Sequence, residues 1–324
     1  MKLQQLRFLL AVAQNDLNIT AAAERLFTSQ PGVSKQIRLL EEELGVTIFE
    51  RTGRQLTGIT DAGKAIISRA EAVLREVDSI RDVASEFSDP RAGSLSIATT
   101  HTQARYVLPP VIKAFRARYP AVDLQMHQGN PEQISEMAAG GAVDFAIATE
   151  ATADFGNLIM MPCYHWNRTI ITPCDHPLRE VRPLTLEAVA EYPIVTYVFG
   201  FTGRSQLDKS FRRLELEPNV VFTATDADVI KTYVRLGVGI GILAKMAYNP
   251  EQDKDLCSLD ATHLFPPSTT RLGFRPGLFL RSYHYDFITL FASHLTREVV
   301  ESAVEAASEQ ERNALFSDLK LQEY

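Results

Sequence analysis

Ser29, Gln30, Ser34, Lys35 and Arg38 lie at the start or on the outer face of one short helical stretch, and their side chains are of the kinds that read nucleic acid. Gln pairs with adenine, Ser with a donor or an acceptor, and Lys or Arg with guanine or phosphate. Pro31 suits the first helical position, where a missing N–H costs nothing, so Ser29 and Gln30 mark the helix start. Arg51 and Arg54 stand in an apolar and basic stretch broken by Gly53 and Gly58, suited to phosphates or the minor groove. Such contacts position a module without specifying sequence. Two further clusters suit a different ligand: TTHTQ, Thr99 to Gln103, with Thr149 and Glu150 ending a nearby strand, and FGFTGRS, Phe199 to Ser205. Hydroxyls and backbone N–H groups at strand ends and helix starts suit a small anion or an acyl amino acid, without a full positive charge.

Plainer readings compete with each of these. A helical hairpin with a solvated face would show the same polar residues, the two arginines would serve as exposed turn residues, and Thr and Ser cap helices without any ligand. The joint occurrence of the two clusters favours the ligand. Gly237, Gly239 and Gly241 resemble a dinucleotide fingerprint, but they follow a helix and lead into a strand, the reverse of the phosphate-binding order. His101 and His165 have no matching nucleophile or second ligand at metal spacing. Trp166, the only tryptophan, reads as packing or pocket wall.

These residues need elements to hold them. Ala21, Ala22, Ala23 and Leu26 give a small-residue face, and Val33, Ile37, Leu40 and Leu44 an apolar stripe at helical spacing. Helix, short turn and amphipathic helix form the helix-turn-helix pattern, whose second helix enters the major groove. Glu41, Glu42 and Glu43 close that helix, where they oppose its dipole and repel phosphate, and should point away from DNA. The stretch from Ile48 to Thr57 predicts a two-stranded wing. Ile66, Ala70, Val73, Val77, Ile80, Ala84 and Phe87 form a heptad seam with charges on both flanks, which predicts a homodimeric coil rather than a helix laid on its own domain. Pro90 and Gly93 break the helix and mark a linker. Beyond it, strands alternate with helices, including a helix over 104–118, in two α/β units with a cleft between them. Chain crossings are expected near Pro162 to Trp166 and near Pro266 to Thr270.

Composition permits this arrangement. The 324 residues suggest two or three domains, and 45% hydrophobic with 23% charged residues is ordinary for a soluble protein. A net charge of -7 excludes a chain coated in nucleic acid, yet one basic module on an acidic chain can hold a specific DNA site. Cys163, Cys174 and Cys257 are far apart, with neither metal spacing nor a disulfide framework, and predict a reduced cytoplasm. The N-terminus has no cleavage site and no membrane-length apolar run, so neither export nor a membrane partner is expected. No catalytic set, metal site or cofactor is expected either, which speaks against an enzyme.

LQQLRFLLAVAQNDLNITAAAERLFTSQPGVSKQIRLLEEELGVTIFER resembles the winged helix-turn-helix of LysR-type transcriptional regulators, and the seam helix, the break and the two-lobed remainder extend the resemblance over nearly the whole chain. SLSIATTHTQARYVLP, QMHQGNPEQI, DFAIATEA, MMPCYHWNR, YPIVTYVFGFTGRS and DADVIKTYVRLGVGIGILA resemble the CysB and Cbl branch, which controls sulfur assimilation and cysteine biosynthesis. The resemblance implies an α/β chain with an N-terminal all-α winged helix-turn-helix over 1–60, a linker and dimerisation helix with hinge over 61–92, a two-lobed type 2 periplasmic-binding-protein-like effector domain over 93–295, and a C-terminal helical extension over 296–324. Lobe I would span about 93–163 and 267–295, and lobe II about 164–266. It implies an N-acetylserine, O-acetylserine or sulfate-like effector between the lobes, at Thr100, Thr102, Gln103, Thr149, Trp166 and Thr202, with Tyr164 and Glu150 adjoining. It also implies homodimers that pair into homotetramers on promoter DNA, and RNA polymerase as a further partner. A regulator of the same branch that serves alternative sulfur sources, or another pathway with a different effector, is the other reading.

Overall fold

The apolar stripes of the first three helices meet in one small core. Leu6, Leu9 and Val12 of α1 (Leu3–Gln14), Ala22 and Ala23 of α2 (Ile19–Arg25), and Val33, Ile37 and Leu40 of α3 (Gln30–Leu44) are all buried there. This is a computed structural model that describes every residue except Arg54, 150–154, Thr202 and Asp318. It divides into two units, Met1–Phe87 and Ser88–Tyr324. In the first unit, Asn18 Oδ1 accepts from the N–H groups of Thr20 and Ala21, each at 3.0 Å, which satisfies two of the four orphan donors of α2. Gly45 ends α3 at φ 68°, a left-handed conformation that costs glycine little. The buried stripe stops a turn earlier than expected: Leu44 is 39% exposed, and Ile48 and Phe49 close the core in its place.

β1 (Phe49–Thr52) and β2 (Gln55–Ile59) pair antiparallel as the expected wing. In α4 (Asp61–Ser88) the predicted seam divides. Ile66 and Ala70 join the core of the unit, whereas Val73, Ile80 and Phe87 are 40%, 69% and 87% exposed.

The second unit holds two sheets. In chain order it contains β3 (Ala92–Thr99), α5 (Leu108–Arg118), β4 (Ala121–Gln128), α6 (Pro131–Gly140), β5 (Phe145–Ala148) and β6 (Ile159–Trp166), all of lobe I. Lobe II follows as β7 (Arg168–Pro173), α7 (Leu186–Ala190), β8 (Ile194–Tyr197), α8 (Arg204–Arg212), β9 (Val220–Ala224), α9 (Ala227–Arg235), β10 (Ile240–Ala244) and β11 (Leu256–Asp260). The chain then returns to lobe I as β12 (Ser268–Phe274), α10 (Ser282–Phe291), α11 (Arg297–Glu305), α12 (Glu309–Ala314) and β13 (Gln322–Glu323). Lobe I has strand order β13-β6-β12-β5-β3-β4 and lobe II β11-β7-β10-β8-β9. β12 is antiparallel to both of its neighbours, β5 and β6.

Three expectations are corrected here. β6 runs through 159–166, so the chain leaves lobe I at Asn167, and Tyr164 and Trp166 belong to the sheet of lobe I. The second crossing falls between Phe265 of the lobe II core and Ser268, where β12 starts, near the segment expected for it. The helix expected over 104–118 begins instead as a π-turn over Gln103–Val107, with Leu108 N–H bonded to Gln103 O. Pro109 and Pro110 supply no N–H for the α-helical bonds that would otherwise continue across the junction. Finally, Cys174 and Cys257 are joined by a disulfide, with Cα atoms 5.0 Å apart. β7 and β11 are antiparallel neighbours, a pairing that a separation of 83 residues concealed. Cysteine spacing therefore carries no argument about the cellular compartment.

Candidate functional site

The polar face of α3 is built by its cap and its core stripe together. Ser29 Oγ accepts from Gly32 N–H at 3.3 Å, so its hydroxyl proton remains for a phosphate or base while it holds the helix start. With Val33, Ile37 and Leu40 fixed inward, Gln30, Pro31, Ser34, Lys35 and Arg38 line one shallow surface depression. Arg51 has a further role that sequence reading missed. Its Nη2 lies 2.7 Å from Glu41 Oε2, and Glu41 Oε1 accepts the N–H groups of Ile48 and Phe49 at 2.8 and 3.1 Å. Glu41 is 8% exposed and points inward, as the brace between α3 and the wing. Arg54 lies outside the described residues.

In the second unit, the first cluster sits where β3 runs into the π-turn. Thr100, Thr102 and Gln103 are buried, as are Thr149 after β5, and Tyr164 and Trp166 on β6. Gln103 Nε2 donates to Thr270 Oγ1 at 3.3 Å, while Tyr164 OH donates to Gln103 Oε1. Thr149 Oγ1 lies 2.9 Å from Thr270 Oγ1, and Trp166 Nε1 donates to Thr149 Oγ1 at 3.3 Å. The structure therefore joins Gln103, Thr149, Tyr164 and Trp166 through Thr270 of β12, which no local signal in the sequence marked. Thr102 lies near Tyr197, at the end of β8 in the other lobe. Burial pushes the Tyr197 phenol up to about 12, so at neutral pH it is a neutral donor and acceptor. Thr99 is a strand residue, its hydroxyl spent on Ile147 O at 3.0 Å.

Arg168, the first residue of lobe II, was also missed. It is 3% exposed, and its guanidinium donates to Gly203 O at 2.6 Å and to Ser268 Oγ at 3.2 Å and lies over the Trp166 ring at 5.1 Å. The second cluster is thereby tied to the crossover, and a cation stands in a site expected to manage without one. Gly200 and Gly203 take φ 83° and 76°, which let the loop turn into α8. Glu150 and Thr202 lie outside the described residues. Among the described residues expected to hold the effector, only Thr149 lines the cavity of about 660 Å³ between the lobes, together with Ser205, Lys209 and Ser268.

Two more contacts cross the cleft from the π-turn. Tyr106 OH donates to Asp228 Oδ1 at 2.7 Å and Arg105 Nε to Asp228 Oδ2 at 3.3 Å, tying lobe I to the start of α9. Burial opposes ionisation of Asp228, but the bonds from Tyr106 and Lys231 outweigh it and hold the carboxyl below its usual range. Among the described residues no group of three His, Cys, Asp or Glu could hold a metal ion, and no helix is long and apolar enough to cross a membrane.

Residues 3–64 match the "Bacterial regulatory helix-turn-helix protein, lysR family" and residues 88–296 the "LysR substrate binding domain". The chain is 52% identical over 322 residues to the HTH-type transcriptional regulator CysB of Haemophilus influenzae, covering 99% of each. It is 43% identical to the HTH-type transcriptional regulator cbl of Escherichia coli, covering 96% of this chain and 98% of that one. Among solved structures, the cofactor-binding domain of the Cbl transcriptional regulator superposes with TM-score 0.64 at 42% identity, over 66% of this chain and 95% of that one.

Proposed function

Since the chain belongs to the LysR family of bacterial transcriptional regulators, and is therefore a regulator rather than an enzyme, we propose that it controls sulfur-assimilation and cysteine-biosynthesis genes from the cytoplasm. It binds their promoters as a homotetramer through α3, with Ser29, Gln30, Ser34, Lys35 and Arg38 toward the major groove and Arg51 and Arg54 toward phosphates. An acetylserine-type or sulfate-type effector lies between the lobes, held by Thr100, Thr102, Gln103, Thr149 and Thr202 against Trp166, with Tyr164 and Glu150 alongside. The altered assembly is what RNA polymerase then meets.

The observation that carries this reading is the buried chain of hydroxyls and amide from Thr149 through Thr270 to Gln103, with Thr102 buried beside it. Neutral donors that bond to one another can turn toward an oxyanion on a small rotation, at little desolvation cost. A ligand that bridges both lobes favours one relative placement of them, and only that differential affinity shifts the assembly. The test is retention of sulfur-gene promoter fragments on a gel, with and without N-acetylserine, O-acetylserine or sulfate, against an unrelated promoter. Specific retention that changes with one of these supports the reading. Specific retention indifferent to all of them would move the effector assignment to another small molecule, and no specific retention would remove the DNA assignment.

A further inference from the structure

The disulfide lies at a consequential edge of lobe II. Cys257 is on β11, the edge strand of the sheet, and Cys174 directly follows β7; in register, Leu256 faces Pro173 and Cys257 faces Thr172. Both cysteines are half-buried, so small thiols and disulfides can reach them. Cys163 is the internal contrast: it is 2% exposed in the core of lobe I, and burial pushes its thiol far up and makes it inert.

A network of charges leads from this bond to the cleft. Asp255, immediately before β11, accepts from Arg235 Nε at 2.7 Å, and Asp253 accepts from Arg235 Nη2 at 2.8 Å. Lys231 Nζ lies 3.2 Å from Asp253 and 3.3 Å from Asp228, the carboxylate that holds Tyr106 of lobe I. Arg235, Lys231 and Asp228 all stand on α9. The placement of the β11 start therefore sets the placement of the carboxylates that anchor α9, and α9 holds the inter-lobe contact.

We propose that Cys174 and Cys257 are a reversible thiol–disulfide site whose oxidised form holds β11 and α9 in place and so strengthens the Tyr106–Asp228 contact between the lobes. The oxidant is a small-molecule disulfide of the glutathione class. One cysteine thiolate attacks a sulfur of that disulfide and expels one small thiolate; the second cysteine attacks the resulting mixed disulfide and expels the other. Two protein S–H bonds and one small-molecule S–S bond are exchanged for one protein S–S bond and two small thiols, with the protons passing to the leaving thiolates.

The test uses the full chain without effector, so its outcome is independent of the ligand assigned above. The protein is equilibrated in mixtures of reduced and oxidised glutathione, quenched in acid, alkylated and weighed. Two cysteines should convert together within the span of those mixtures, with Cys163 reacting only after denaturation. Hydrogen exchange is then compared between the two forms. Amides over 253–260 and over 104–108 should exchange about tenfold faster in the reduced form, the loss expected when a cross-link stops restraining local opening. The Cys174→Ala, Cys257→Ala double variant should match the reduced form in every mixture. A bond that resists excess reduced glutathione, thiols that never pair, or equal exchange over 104–108 in the two forms would each overturn the proposal.

Discussion

Thr102 is buried where β3 runs into the π-turn, and Thr102→Ala should weaken binding of the effector about tenfold, the loss typical of one hydrogen bond to a charged group. Isothermal titration checks this against Thr99→Ala, whose hydroxyl bonds only within its own sheet and whose effector affinity should stay unchanged. An equal loss in both variants would sink the assignment. On α3, Lys35→Ala and Arg38→Ala should each lower promoter affinity. Each of the two that contacts a phosphate should reduce the slope of log affinity against log salt by about one. Glu41→Gln acts differently, because it removes a carboxylate that accepts two backbone N–H groups and Arg51. It should lower the thermal stability of the first unit by about 1–3 kcal/mol and cut DNA affinity through the wing, although loss of the negative charge by itself favours phosphate.

Elements show where the sequence was readable. Val33, Ile37 and Leu40 announced α3 because each lies on one face of a 3.6-residue period, and Ser29 announced its start by capping chemistry. Thr270 and Arg168 were silent, because what makes them part of the site is strand order, and order depends on contacts between distant segments. The same holds for Cys174 and Cys257. For α4, the division of the seam yields a prediction: Ile80→Lys should abolish dimer formation in sedimentation while leaving the core around Ile66 and Ala70 folded. An unchanged dimer would place the interface elsewhere. In the segment before β11, burial opposes ionisation of Asp253, but the Asn249 N–H, Arg235 and Lys231 outweigh it and depress its carboxyl. A depressed folded value contributes stability that is fully present above the unfolded value, about 4, and is lost as pH falls through the folded one. Acid unfolding of the second unit should accordingly steepen below about pH 4, and Asp253→Asn should flatten that limb.

Across the whole molecule, the two-lobed plan was visible in the alternation of strands and helices, while the residue at which the chain changes lobes was not. A lone Asn suits a turn anywhere, and Asn167 is fixed as the crossing only by β6 and β7 belonging to different sheets. The way those sheets are threaded bears on how the protein is made. Lobe II is one unbroken stretch of chain, whereas β12, which sits between β5 and β6, is synthesised only after all of lobe II. On the ribosome, lobe II can therefore close while β5 and β6 still wait with open edges for their shared partner. That interval is when the nascent chain is most open to mispairing with a neighbour, so the half-made regulator, rather than the finished one, is the form that most needs a chaperone.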